Sequence, residues 1–184
     1  MPSHARAIHG NIQMENKKTL RYIALASIIA AMYVALTGLS ALLGLDKGVI
    51  QFRISEALTV LPFICAPAVP GVAVGCFLAS LIFGAIPVDF VFGALTTLAA
   101  AFLTMIIGKK LPKAGWLACF PPIVLNSIVI PLILKYAYHF DGTVLFFMLT
   151  VFVGEAVCAG IVGTLLLYGL PKKITVTLQN WDKQ

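Results

Sequence analysis

Charge is scarce in this sequence. Only 11% of its 184 residues are Asp, Glu, Lys or Arg, and just seven of them are acidic, where a soluble domain carries about a quarter charged residues. With 60% of the chain hydrophobic and a mean hydropathy of +1.00, no water-soluble fold can hide the apolar surface, so lipid is the expected solvent. Alternation of apolar and polar residues in ten-residue segments is also lacking, which excludes a transmembrane β-barrel. There is no G-x-x-x-x-G-K-[ST] phosphate loop, no H-E-x-x-H and no G-x-S-x-G. The three histidines, His4, His9 and His139, are scattered, and the four cysteines, Cys65, Cys76, Cys119 and Cys158, lie in apolar runs without metal-ligand spacing. No internal repeat of the kind that builds inverted-repeat transporters is visible. No cofactor or metal is called for.

What is present is a succession of continuous apolar runs, about 20 residues each. They predict an all-α integral membrane protein with six spans, at 19–43, 56–69, 70–86, 89–108, 115–138 and 143–170. The second and third are short and punctuated by Pro62, Pro67, Pro70 and Gly71, which predicts a tight hairpin or broken helix there. Residues 19–170 thus form the membrane domain, between polar tails at 1–18 and 171–184. Met14, opening Met14-Glu15-Asn16-Lys17-Lys18, is expected to be the natural start, with 1–13 an upstream extension. Loss of ligand binding on deleting 1–13 would sink that expectation.

The excess of basic residues (13 Lys and Arg, net charge +6) sits beside the apolar runs rather than on one surface stripe. Arg6, Lys17, Lys18, Arg21, Lys109, Lys110, Lys113, Lys172, Lys173 and Lys183 fall on one side of a six-span chain; Lys47, Arg53 and Lys135 fall on the other. That bias places both termini in the cytoplasm and assigns the positive charge to topology and anionic lipid rather than to nucleic acid.

An ionisable group inside a span costs roughly 2.5–3.5 kcal/mol on insertion scales, so each asks for a reason. Glu155 lies about twelve residues into the sixth span, on the order of 18 Å deep, and Asn126 reaches similar depth in the fifth. Together they line a polar pocket or, alternatively, glue two helices by a hydrogen bond. Asp89 heads the fourth span behind Pro87, where it serves either as a helix cap or as a ligand group. Phe92, one turn on, offers a ring for stacking. Gln51, Arg53 and Glu56 join the first loop to the second span; Arg53 and Glu56 either pair locally or belong to a lid, with Gly44 and Gly48 as its hinges. Span one carries Ala26, Ala30, Ala31 and Ala35 at spacings that let another helix approach.

The stretch Val49-Ile50-Gln51-Phe52-Arg53-Ile54-Ser55-Glu56-Ala57-Leu58-Thr59 resembles the signature of the QueT family. Leu61-Pro62-Phe63, Pro70-Gly71, Asp89 through Gly93, Pro121-Pro122 through Asn126, and Gly154-Glu155 extend the resemblance from Met14 to about Lys173. It implies a substrate-binding (S) component of an energy-coupling factor transporter: a six-helix protein of the cell membrane that captures a queuosine precursor from outside. The implied partners are a transmembrane coupling protein and two cytoplasmic ATPases, which would consume the ATP. The alanine stripe is implied as the docking face, and a 7-deazaguanine such as queuine as the ligand. A carboxylate accepts the adjacent N–H and amino groups of such a base, a role assigned to Glu155. Asn126 is then expected at the carbonyl side, Asp89 at a cationic aminomethyl group, with Phe92 stacking and Gln51, Arg53 and Glu56 forming the lid. The alternatives are an S component for another planar vitamin, an intramembrane enzyme using Glu155 and Asp89 as acid and base, and a purely structural subunit.

Overall fold

The computed structural model describes the backbone of residues 2–45 and 51–179, with side chains from Gln13 onward. Gly48, Lys47 and Lys183, and the side chain of Arg6, lie outside the described residues. Every regular element among the described residues is helical, and four helical stretches are long and apolar enough to cross a membrane: Gln13–Leu42, Pro87–Lys110, Gly115–Tyr136 and Val144–Gly169.

Helix α1 runs from Pro2 to Leu42. The polar stretch expected as a tail is therefore helical. At 1.5 Å per residue the helix exceeds the roughly 30 Å hydrocarbon core, so its polar first turns extend beyond the apolar window. Gly44 ends it in a left-handed turn at φ +68°.

The two short spans expected next take an irregular form. Ile54–Phe63 is a 3-10 helix with Pro62 inside it, and α2 follows at Ala68–Ile82. Ten residues of 3-10 helix are uncommon, and this one survives because protein surrounds it. Ser55 through Phe63 are all buried, against α1, α2, the third helix and the end of the sixth span. Irregular backbone is tolerated at membrane depth only where it is enclosed in this way. Two glycines admit it. A Cβ on Gly108 would sit 2.1 Å from the Phe63 carbonyl oxygen, and one on Gly163 would sit 3.2 Å from that of Ala57.

Helix α3 (Pro87–Lys110) has Pro87 in its first turn, where no amide donor is missed. Its buried stripe of Asp89, Gly93, Thr97, Ala100 and Thr104 recurs at helical spacing, and Lys109 and Lys110 close its last turn. The run expected as the fifth span opens with a short 3-10 turn, Gly115–Cys119, and continues as α4, Phe120–Tyr136, through Pro131. The sixth, expected as one helix, is α5 (Val144–Glu155), a π-helical stretch (Ala156–Val162) and α6 (Gly163–Gly169) in succession. Thr143 caps α5 by accepting from the Phe146 amide at 3.2 Å. The C-terminal tail holds α7, Lys172–Gln179.

The main core joins Ile29 and Tyr33 of α1 to Leu58 and Val60 of the 3-10 segment, Val72 of α2 and Ala101 of α3. A second cluster, Ile130, Ile133, Leu134, Phe147 and Val151, packs α4 on α5. Outside these, Ile28, Leu78, Leu95, Phe102, Leu149 and Leu165 are exposed. An apolar exterior on every long helix, around a core that carries the polar residues, suits lipid as the surrounding solvent.

Candidate functional site

Three of the seven acids, Glu56, Asp89 and Glu155, are buried. Four elements converge on two of them. The Tyr33 hydroxyl, from α1, donates to Oε1 of Glu56 at the start of the 3-10 segment. Asn126 of α4 donates from Nδ2 to Oε1 of Glu155 at 2.9 Å and to Oε2 of Glu56 at 3.4 Å. Both oxygens of Glu56 are thereby occupied. Oε2 of Glu155 is not: it is buried without a hydrogen-bond partner. An unmatched buried acceptor is expensive, at about 1–3 kcal/mol and more for a charged group, so this oxygen stands apart from the matched ones around it.

The backbone is shaped to aim it. Glu155 is the last residue of α5 before the π-helical stretch, and such stretches gather at functional sites because they re-register a side chain. Gly154 beside it has no side chain where a Cβ would lie 2.2 Å from the Gln51 carbonyl oxygen. The first loop therefore rests on the helix that presents Glu155.

Two cavities share this ground. The inner one, about 20 Å³, is lined by Glu56, Asn126, Glu155 and Thr97. The outer one, about 230 Å³, is lined by Tyr33, Thr37, Ser80, Asp89, Tyr138 and Phe140, among others. Gln51, Arg53, Cys76 and Ile130 border both. The inner space takes one exocyclic group or a single water. The outer is somewhat below the 300–1,000 Å³ that accommodates drug-sized ligands, a fit for a small planar molecule.

Asp89 forms the acidic wall of the outer cavity. It lies in the first turn of α3 but makes no cap there; instead Oδ2 accepts from the Tyr138 hydroxyl at 2.9 Å. Tyr138 in turn accepts from the Ile86 amide at 3.3 Å and stacks on Phe140 at 5.7 Å. Burial pushes the Tyr138 phenol above its usual range; the Ile86 amide opposes this, the bond to Asp89 and the charge of that carboxylate add to it, and Arg53 opposes it weakly.

Most of the sequence-predicted residues come together: Gln51, Arg53, Glu56, Asp89, Asn126 and Glu155 all line one or both cavities. Glu56 is hydrogen-bonded by Tyr33 and Asn126 rather than by Arg53, whose strongest charge interaction is with Asp89 ahead of Glu56. Phe92 is not brought to the site. It is 54% exposed, because the buried stripe through Asp89 and Gly93 turns it outward. Asp89 lines the outer cavity and Glu155 the inner one. Tyr33, Thr97 and Tyr138 were missed; a tyrosine amid apolar helix residues, whose hydroxyl must find a partner when buried, is the signal that could have found Tyr33.

The alanine stripe divides. Ala26 and Ala30 turn inward, their backbone against Gly71 and Gly75 of α2, while Ala31 and Ala35 are exposed on the same face as Ala24 and Ser27.

A bundle of apolar helices enclosing an acidic chamber with one bordering arginine defines a class, the helical membrane proteins with an internal polar cavity. Within that class the chain belongs to the QueT transporter family, whose family model matches residues 23–172. It is also similar to the queuosine precursor transporter QueT of Lactococcus lactis subsp. cremoris (strain MG1363), at 35% identity over 85 residues, which are 46% of this chain. The match spans about half of that relative's length, 49%. No solved structure matches the chain.

Proposed function

We propose that this chain is the substrate-capturing component of an energy-coupling factor transporter of the cell membrane, specific for a queuosine precursor of the 7-deazaguanine class. The single observation that carries the reading is Oε2 of Glu155, buried and unpartnered on a residue that lines a cavity inside a member of the QueT family. A 7-deazaguanine presents a ring N–H and an amino group side by side, and a carboxylate accepts both. Asp89, at the wall of the outer cavity, then faces the substituent on the five-membered ring and favours a cationic amine there. The name of the Lactococcus relative supports the same ligand class.

The proposed topology has six passes with both termini in the cytoplasm, the 3-10 segment and α2 serving as the two short ones; the basic residues flanking the long spans support it. The cavity opens toward the outside. Delivery is driven by a transmembrane coupling protein and two cytoplasmic ATPases, which supply the ATP chemistry. The docking face is the exposed half of the α1 stripe, Ala31 and Ala35 with Ala24 and Ser27, where small side chains allow close helix approach.

Mass spectrometry of the small molecule retained by the detergent-purified protein tests the reading. A 7-deazaguanine is expected. A retained molecule lacking the aminopyrimidinone edge, with no competition from added 7-deazaguanines, would overturn it.

A further inference from the structure

If Glu155 reads the amino side of a 7-deazaguanine, the ring carbonyl two atoms away from the amino-bearing carbon needs a donor of its own, since an unmatched buried carbonyl loses affinity. Asn126 is the nearest amide to Glu155, but its nitrogen already faces two carboxylate oxygens, at 2.9 and 3.4 Å. The hydroxyl of Tyr33 is committed to Glu56, and that of Tyr138 to Asp89. Arg53 differs from all of these. Its guanidinium is balanced through space by Asp89 first and more weakly by Glu56, without a hydrogen bond to a described residue, and it borders both cavities, that of Asp89 and that of Glu155.

We infer that Arg53 is the specificity residue for the ligand's carbonyl oxygen, so that Arg53 and Glu155 together read the acceptor–donor–donor edge of the base. This rests on the functional reading above and goes beyond the lid role expected for Arg53 from the sequence. Arginine suits the task because its planar fork keeps a fixed geometry and its charge never titrates away. Glu56 then acts as a positioning residue. With both oxygens occupied it contacts no ligand, but it holds Asn126, which holds Glu155. The edge so defined separates guanine-type from adenine-type rings, because the latter place an amino donor where Arg53 needs an acceptor.

The experiment is a cross of ligand atoms against side chains, read by titration calorimetry on the full chain in detergent. Three probes share one 7-aminomethyl substituent: the 7-deazaguanine, its analogue with a thiocarbonyl in place of the carbonyl, which keeps the ring N–H but accepts a hydrogen bond more weakly, and its analogue without the 2-amino group. Wild type is expected to lose about tenfold or more in affinity for each change, as for a charge-assisted hydrogen bond. In Arg53→Ala the carbonyl preference collapses to near parity while the amino preference persists. Arg53→Lys, which keeps the charge and protects the fold, reduces the carbonyl preference several-fold. A carbonyl preference unchanged in Arg53→Lys or Arg53→Ala, or one erased by Gln51→Ala instead, overturns the inference and leaves the functional reading standing. Failure of wild type to bind any of the three overturns both.

Discussion

Nδ2 of Asn126 lies 2.9 Å from Oε1 of Glu155, and the same nitrogen reaches Glu56, so one amide ties α4 to α5 and to the 3-10 segment. The arrangement satisfies three of the four carboxylate oxygens on the floor of the cavity. A buried network in which every member but one is matched fixes the elements it joins.

Asn126→Leu removes the shared donor while keeping the side-chain volume. Two buried carboxylate oxygens lose their partner, at about 1–3 kcal/mol each. The thermal unfolding midpoint of the detergent-solubilised protein should fall by several degrees, and ligand binding should weaken with it. An unchanged midpoint contradicts the structural role.

Gly154→Ala places a methyl group 2.2 Å from the Gln51 carbonyl oxygen, a backbone atom that cannot turn aside. The first loop must lift from α5. Binding is expected to weaken about tenfold or more, in line with the roughly 1–3 kcal/mol cost of overpacking, chiefly through faster release measured by stopped-flow. Wild-type kinetics would show that the loop does not cover the site.

Tyr138→Phe removes the donor to Asp89 and a phenol whose ionisation is disfavoured by folding. A raised folded value means that the native state holds the proton more tightly than the unfolded chain. The contribution is complete below the usual phenol value of 10.0 and is lost as pH rises from there through the higher folded value. The difference in stability between wild type and Tyr138→Phe should therefore be flat from pH 7 to about 9 and shrink above about 10. A difference that grows with pH in that upper window contradicts the assignment.

Ala31→Trp and Ala35→Trp should abolish energised uptake while sparing ligand binding by the purified chain, because both residues face outward. Ala30→Trp should behave differently. Its Cα and carbonyl oxygen lie 3.1 and 3.0 Å from the position of a Cβ on Gly75, so a large side chain there disturbs the α1–α2 contact itself and lowers stability. Uptake that survives both outward substitutions removes the stripe from the docking face.

Membrane insertion and the polar floor were legible because lipid makes every interior charge conspicuous. Glu155, Asn126 and Asp89 stand out from apolar surroundings, and they do line the cavities. Facing was harder to read. Phe92 and the Ala26/Ala31 distinction depend on helix rotation, and an evenly apolar span carries almost no periodic signal to fix it. The 3-10 form of Ile54–Phe63 depends on enclosure by helices distant in sequence, which Pro62 alone only hints at. Likewise the π-helical stretch after Glu155 has no local sequence mark beyond Gly160 and Gly163. Tyr138 escaped notice because its partner Asp89 is 49 positions away.

The central claim is that Oε2 of Glu155 accepts from the ligand. Titration calorimetry of a 7-deazaguanine into wild type and Glu155→Gln tests it directly, because glutamine keeps the size and offers a donor in place of one acceptor oxygen. The account predicts affinity about tenfold or more weaker in Glu155→Gln. Equal affinity in the two proteins would contradict it.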